Sequence, residues 1–270
     1  MPIISLAALT VLDAKPSGHI KAAHAAGFSH AGLRLQPLLA SDEKIAGISE
    51  KEQEIVSLLA QTGVKPLETG VFPIKAGFDI ELYGPVLSFS HRIGARYITC
   101  PVEDEDKPRR LQAFQHLCDL AGTCGLEALV EFNPYSGCKN LAEALELVQT
   151  SEKDNARLLI DVLHLARSGG SPDDLRAIDP DLIALVHLCD ANPPSASAVT
   201  DEQLRQESRT ARLYPGEGVL WLEDLLDVIP ADTPLSIEAP SAAHAHLSAE
   251  DRARAAMSAT QALLARHISG

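Results

Sequence analysis

Apolar residues gather in eight short runs along the chain, and helix-period patterns fill the intervals between them. The runs cover residues 3–9, 30–35, 65–72, 97–102, 126–133, 156–164, 183–190 and 234–240. Each is largely apolar on consecutive positions rather than on every second one. A parallel strand covered on both faces reads this way, because both of its faces meet other elements. The helical patterns cover residues 17–26, 49–62, 79–93, 108–123, 141–150, 172–177, 221–228 and 249–267. Gly27, Gly63, Gly94 and Gly125 follow four of them, where glycine closes a last turn. Ser17, Asn140 and Ser171 stand where a side-chain oxygen can hold the first helical amides, and Pro172 occupies a first turn. Pro85 falls inside the third helical pattern and is expected to break or kink it.

Eight strands alternating with helices are the elements of an α/β protein, a (β/α)8 TIM barrel, here expected to use residues 1–270 as a single domain. A doubly wound dinucleotide fold would open on a glycine-rich turn. The first turn here reads Thr10-Val11-Leu12-Asp13 and cannot cradle a pyrophosphate. The longest irregular stretch, residues 191–218, contains Asn192-Pro193-Pro194 and a short helix candidate around 204–212. In a barrel it is the loop after strand seven, on the catalytic face, and loops of that length tend to be functional.

Barrel chemistry sits at the carboxyl ends of strands. Four successive runs end on ionisable residues: Glu131 in strand five, Asp161 in six, His187 in seven and Glu238 in eight. A carboxylate at the end of an apolar run is costly unless it is paired or bound to a cation. Taken singly, Glu131 reads equally as the partner of a barrel Arg or Lys, and His187 as a satisfied core histidine. Four such residues on four consecutive strands favour a site. Their mixed oxygen and nitrogen donors suit a divalent metal ion, Mn2+, Mg2+, Co2+ or Zn2+, with positions left for substrate.

Glu131, the run from Asp161 to His164, the run from His187 to Asp190, the Tyr214-Pro-Gly-Glu-Gly218 segment and Ser236-Ile-Glu238 together resemble the xylose isomerase-like TIM barrels, the sugar phosphate isomerase/epimerase group. The resemblance spans about residues 126–241 with specific motifs and implies a metal held by Glu131, Asp161, His187 and Glu238. It implies that Glu131 and Glu238 also move a proton on opposite faces of the substrate. His164 then matches a substrate-binding position, Arg212 an arginine after strand seven that contacts substrate, and Asp190 a supporting or substrate contact. The implied chemistry is an isomerase or epimerase of a sugar or polyol, acting on a hydroxy-carbonyl substrate through a metal-stabilised enediolate. Two alternatives stand beside it. One is a lyase dehydrating a cyclic hydroxy-ketone such as 3-dehydroshikimate or an inosose. The other is a catalytically silent binding barrel. Endonuclease IV also resembles the chain at Asp161, His164, His187 and Glu238. The further histidines of its zinc cluster find no counterpart, since strands two to four end on Arg34, Glu68 and Cys100.

Two polar residues on earlier strands remain open. Glu68 reads as a substrate contact or a salt-bridged structural acid. Arg34 reads as a clamp for a substrate carboxylate or phosphate, or as a barrel ion pair.

Composition narrows the partners. Lys and Arg number 23 against 37 Asp and Glu, a formal charge of −14, which opposes binding to nucleic acid phosphates or anionic lipid. Hydrophobic residues make up 46%, enough to fill a sizeable core. No basic residue precedes the short N-terminal apolar run, so neither a secretory signal nor a spanning helix is expected. Five cysteines without CxxC spacing fit reduced, buried thiols in a cytoplasmic protein. The expected partner is a small molecule, and the resemblance also allows a homodimer.

Overall fold

A computed structural model describes residues 2–37, 43–195 and 197–269; residue 196 of the long loop lies outside these. Eight parallel strands close on themselves: β1 (Ile4–Leu6), β2 (His30–Arg34), β3 (Lys65–Gly70), β4 (Tyr97–Pro101), β5 (Glu127–Glu131), β6 (Ala156–Asp161), β7 (Ile183–Leu188) and β8 (Leu235–Ile237). Each pairs with the next, and β8 returns to β1 with Ile4 opposite Leu235 and Leu6 opposite Ile237. The helices are α1 (Lys15–Ala25), α2 (Ser49–Thr62), α3 (Gly84–Arg92), α4 (Lys107–Thr123), α5 (Leu141–Ser151), α6 (Val162–Arg167), α7 (Pro172–Leu175), α8 (Asp201–Thr210), α9 (Leu222–Val228) and α10 (Ala249–Ser269). This is the (β/α)8 barrel that the alternation of patterns predicts. Among the described residues no helix is long and apolar enough to cross a membrane.

The core has two layers, which is why the strand runs are apolar on both faces. Outside the barrel wall, residues such as Ile98, Val130, Ile160 and Val186 pack against helix residues such as Phe114 and Leu147. Inside, Ile3, Leu67, Tyr97, Leu129, Leu159, Ala184 and Leu185 form a separate apolar plug. The carboxyl ends of β5 to β8 rise beyond this plug. The mouth of the barrel therefore has a dry, rigid floor.

Two slips of register shape the interior. Ala31 lies opposite Pro66 but Leu33 opposite Thr69, so β3 carries one extra residue. Leu158 lies opposite Ile183 but Leu159 opposite Leu185, so β7 carries one as well. A bulge breaks the two-residue alternation of a strand and re-aims a side chain. In β7, Ala184 and Leu185 both join the inner plug. In β3, Leu67 joins it while the next residue, Glu68, also reaches inward, to Ser236 and His187.

Local chemistry sets where strands stop and helices start. Runs 126–133, 156–164, 183–190 and 234–240 overrun their strands, because the chain leaves the ladder at or beside Glu131, Asp161, His187 and Glu238. At the end of β6 the Asp161 carboxylate accepts the His164 amide at 3.0 Å and so caps α6, making residues 162–164 helical rather than extended. Asn140 caps α5 by accepting the Glu143 amide at 3.0 Å, and Ser171 pairs with Asp174 in a capping box at α7. Ser17 caps nothing. A 3-10 turn over Ala8–Ala14 leads straight into α1, with Pro16 fixing its first turn, so Ser17 lies inside the helix. The third helical pattern splits into a 3-10 turn, Ile80–Tyr83, and α3, with Pro85 in the first turn of the second piece. In the long loop, Thr200 and Gln203 form a capping box that starts α8 three residues before the expected position.

Candidate metal centre

The ends of β5 to β8 bring Glu131, Asp161, His187 and Glu238 together. One donor atom from each lies within 4.8 Å of the others, and all four residues are buried. His187 sits between two acids. Its Nδ1 is 3.4 Å from Glu238 Oε2, and its Nε2 is 3.7 Å from Glu68 Oε1. Among the described residues neither ring nitrogen has a hydrogen-bond partner, although both are buried. Buried polar atoms without partners are rare, and where they cluster with three carboxylates they fit a cation. The donor set of three carboxylates and one imidazole therefore suits a divalent metal ion.

Arg212 closes the cluster from the long loop. Its guanidinium donates to Asp161 Oδ2 at 2.7 Å, approaches Glu238 Oε2 at 3.2 Å, and donates to the Ser208 carbonyl at 2.7 Å. At 1% exposure it is one of the largest fully buried side chains in the protein. Its place beside the acids differs from a free substrate clamp. Two buried carboxylates claim the guanidinium, because each would otherwise be an uncompensated charge.

The side chains divide their protons unequally. Burial, reinforced by Glu238, pushes the Glu131 pKa up to about 8. Burial opposes ionisation of Asp161 too, but Arg212, with His164 and His187, holds it well below the usual carboxylate range. Burial likewise works against ionised Glu238, yet His187 and Arg212 keep its pKa below the ordinary value. Burial alone would lower the His187 pKa, and the flanking Glu238 and Glu68 outweigh it and raise it well above normal. His164 is different. Burial takes it down to about 4 against the pull of Asp161, so its ring is neutral at physiological pH.

His164 lies on the first turn of α6, where it meets the Tyr135 ring edge-on at 5.6 Å and Ser208 Oγ at 3.5 Å. Ser208 also accepts the Tyr135 hydroxyl at 3.0 Å and an Arg212 N–H at 3.1 Å. This serine was not among the expected site residues. Its only signal is its spacing, four residues from Leu204, on the sole inward stripe of a very polar helix. Phe72 is fully buried core, and Trp221 packs partly buried against it.

The remaining expected residues fall in three places. Asp190 supports the loop after β7. Its carboxylate accepts the amides of Ala191 at 2.8 Å, Leu220 at 2.9 Å and Gly216 at 3.1 Å, which leaves it committed to backbone. Glu68 is buried within the barrel, facing His187 and accepting the Ser236 hydroxyl at 2.6 Å. Arg34 lines a cavity of about 710 Å3 at the β1, β2 and β8 side of the mouth, together with Thr10, Lys15, Arg209 and Pro240. None of the four convergent ligands lines that cavity. The cysteines are free, and burial pushes the Cys118, Cys138 and Cys189 thiols up to about 12, as expected of packing residues.

A closed parallel barrel with acid and imidazole donors at the ends of β5 to β8 defines a class of metal-site α/β barrels. The chain belongs to the xylose isomerase-like TIM barrel family, whose model matches residues 20–263. It is 24% identical to the inosose isomerase of Halalkalibacterium halodurans over 173 residues, 62% of this chain and 58% of that protein. The alignment thus spans less than two thirds of that relative. It is also 24% identical to the inosose isomerase of Bacillus licheniformis over 203 residues, 70% of each. Among solved structures, the IOLI protein with a bound zinc atom superposes with a TM-score of 0.80 at 19% identity, covering 98% of both chains.

Proposed function

We propose that the protein is a divalent-metal-dependent isomerase or epimerase of a polyol-derived or sugar hydroxy-ketone. The observation that carries this reading is the convergence of Glu131, Asp161, His187 and Glu238 at the barrel mouth, two of them glutamates on different strands. The inosose isomerase name of its relatives supports the substrate class, a cyclic polyol ketone. The four side chains would hold the metal. When bound there, a divalent cation polarises neighbouring carbonyl and hydroxyl oxygens and acidifies the C–H beside the carbonyl.

The chain's own residues do the rest. Glu131 ends β5 and Glu238 directly follows β8, the two ends of the ligand arc, and so they approach a substrate from different sides. One takes the proton from the carbon beside the carbonyl, and either the same group or the other returns it. Return to the same carbon on the opposite face epimerises. Return to the neighbouring carbon isomerises. His164, neutral and buried beside Tyr135 and Ser208, is placed to hold a substrate hydroxyl. Arg212 keeps Asp161 and Glu238 in position while α8 covers that side of the mouth.

The test is solvent deuterium exchange. Purified protein supplied with Mn2+ or Zn2+ and an inosose in deuterated water should place deuterium beside the carbonyl with the carbon skeleton intact. Glu131→Gln and Glu238→Gln should each slow exchange by roughly 100-fold or more, the scale of a lost general base. Accumulation of an ultraviolet-absorbing enone would identify a dehydratase instead. Exchange that is unchanged in both variants, or full activity after chelation, would overturn the reading.

A further inference from the structure

We infer that Glu68 is a positioning residue that fixes the tautomer and orientation of His187 for metal binding, a step that rests on the metal site proposed above. The Glu68 side chain reaches the barrel interior only because the register of β3 slips between Pro66 and Thr69. With strict alternation, a strand that turns Leu67 into the inner plug would turn Glu68 out toward the helices. Instead Glu68 is 4% exposed, its Oε1 lies 3.7 Å from His187 Nε2, and its Oε2 has no hydrogen-bond partner. An acid in such a place costs stability unless it serves the group it faces.

The surroundings are shaped to the carboxylate. A Cβ at position 32 would collide with Glu68 Oε1, so glycine there leaves the carboxylate in this position and any other residue would displace it. Ser236, on β8 beside the ligand strand β7, donates to the same oxygen at 2.6 Å. Glu68 thus lies on the Nε2 side of the imidazole, and Glu238 lies on the Nδ1 side at 3.4 Å. A neutral imidazole carries one proton, and the nitrogen without it is the one that can bind a metal. A carboxylate facing Nε2 holds the proton there and turns the Nδ1 lone pair toward Glu131, Asp161 and Glu238. Carboxylates in this relation also raise the basicity of a ligating histidine. Glu68 is 4% exposed and its Oε1 is shared between the Ser236 hydroxyl and the Nε2 side of His187, so the geometry gives it to His187.

The experiment measures metal affinity directly, by competition of Zn2+ or Mn2+ against a chromophoric chelator, in the wild type, Glu68→Ala, Glu68→Gln and Ser236→Ala. Glu68→Ala should weaken binding roughly 10–100-fold. Glu68→Gln, whose amide oxygen can take the place of the carboxylate facing Nε2–H, should recover much of the loss, and Ser236→Ala should show a smaller loss. Nitrogen-15 NMR of His187 in the Zn2+-loaded protein should show the proton on Nε2 in wild type and Glu68→Gln. Equal affinity in Glu68→Ala and wild type, or a proton on Nδ1 in the loaded wild type, overturns the inference. Should Glu68→Ala not fold, equal affinities in Ser236→Ala and wild type, with Nδ1 protonated, do so. A wild type that binds no divalent ion refutes the metal site itself, which separates that failure from this one.

Discussion

A single imidazole shows how burial becomes a pH dependence. His19 on α1 is buried, with Nε2 at 2.9 Å from the Leu6 carbonyl oxygen, so Nε2 carries the ring's proton and donates it there. Burial lowers its pKa from 6.5 to about 4, partly offset by that hydrogen bond. An unfolded chain would titrate the same ring near 6.5. Between these two values the unfolded state binds more protons than the folded one. The contribution of His19 is therefore complete above pH ~6.5, declines as pH falls, and is lost by pH ~4, with a ceiling of about 3 kcal/mol. Replacing His19 with Gln keeps a donor for Leu6 and removes the titration. His19→Gln should lose less thermal stability than wild type between pH 7 and 4.5. Identical losses in the two proteins would show that this ring is not responsible. The same reasoning explains why residue type alone did not define roles at the centre. Arg212 and Asp190 are both polar residues of the seventh-strand loop. One is claimed by the Asp161 and Glu238 carboxylates and the other by three backbone amides.

At the scale of elements, the loop after β7 is held at both ends. Asp190 anchors Ala191, Gly216 and Leu220, while Arg167 on α6 grips Glu207 on α8 through contacts of 2.6 and 2.9 Å. Ser208 and Arg212 then place α8 beside His164 and Asp161. Gly218 is the tight point, since a Cβ there would collide with the Ala191 carbonyl and the Asp190 carboxylate. Gly218→Ala should therefore displace the anchor, cost about 1–3 kcal/mol, and speed hydrogen exchange of the α8 amides. Exchange rates in α8 equal to those of wild type would mean that the loop is not hung from Asp190. Strands and helices of this kind were legible because the plug and the outer core make the strands β3 to β7 apolar on both faces. Asn140 and Ser171 were legible as caps because their partners lie three residues ahead. What could not be read was what depends on distant contacts. The β3 bulge turns Glu68 inward through pairing with β2, the start of α1 depends on the 3-10 turn before it, and Asp161 ends a strand because its side chain caps the next helix. The four clustered residues were readable because each stands at or near the end of an apolar run, whereas Ser208 was not, because its partners come from α6, the Tyr135 loop and Arg212.

For the whole molecule, the candidate centre joins half of the barrel. Its four candidate donors sit at the ends of consecutive strands, Glu131, Asp161 and His187 on β5 to β7 and Glu238 directly after β8, and these strands pair side by side above the apolar floor. Bringing three carboxylates and an imidazole within 4.8 Å requires those strands to be in native register, so the unfolded chain has no comparable site. A ligand that binds only the folded state stabilises it by mass action, about 2.7 kcal/mol when its concentration is 100 times Kd. In a protein of this size each kcal/mol moves Tm by roughly 2–4 °C, so saturating Mn2+ or Zn2+ should raise Tm by roughly 5–10 °C. The chain is also acidic, at a formal charge of −14, and loose binding to its exposed carboxylates is the competing source of a shift. His187→Ala separates the two, because it removes one ligand and leaves every surface acid in place. The rise in Tm should grow with the logarithm of metal concentration in wild type and largely vanish in His187→Ala. A shift of equal size in both proteins would assign it to the surface. No shift in wild type would mean that the four strand ends do not act together as a metal site.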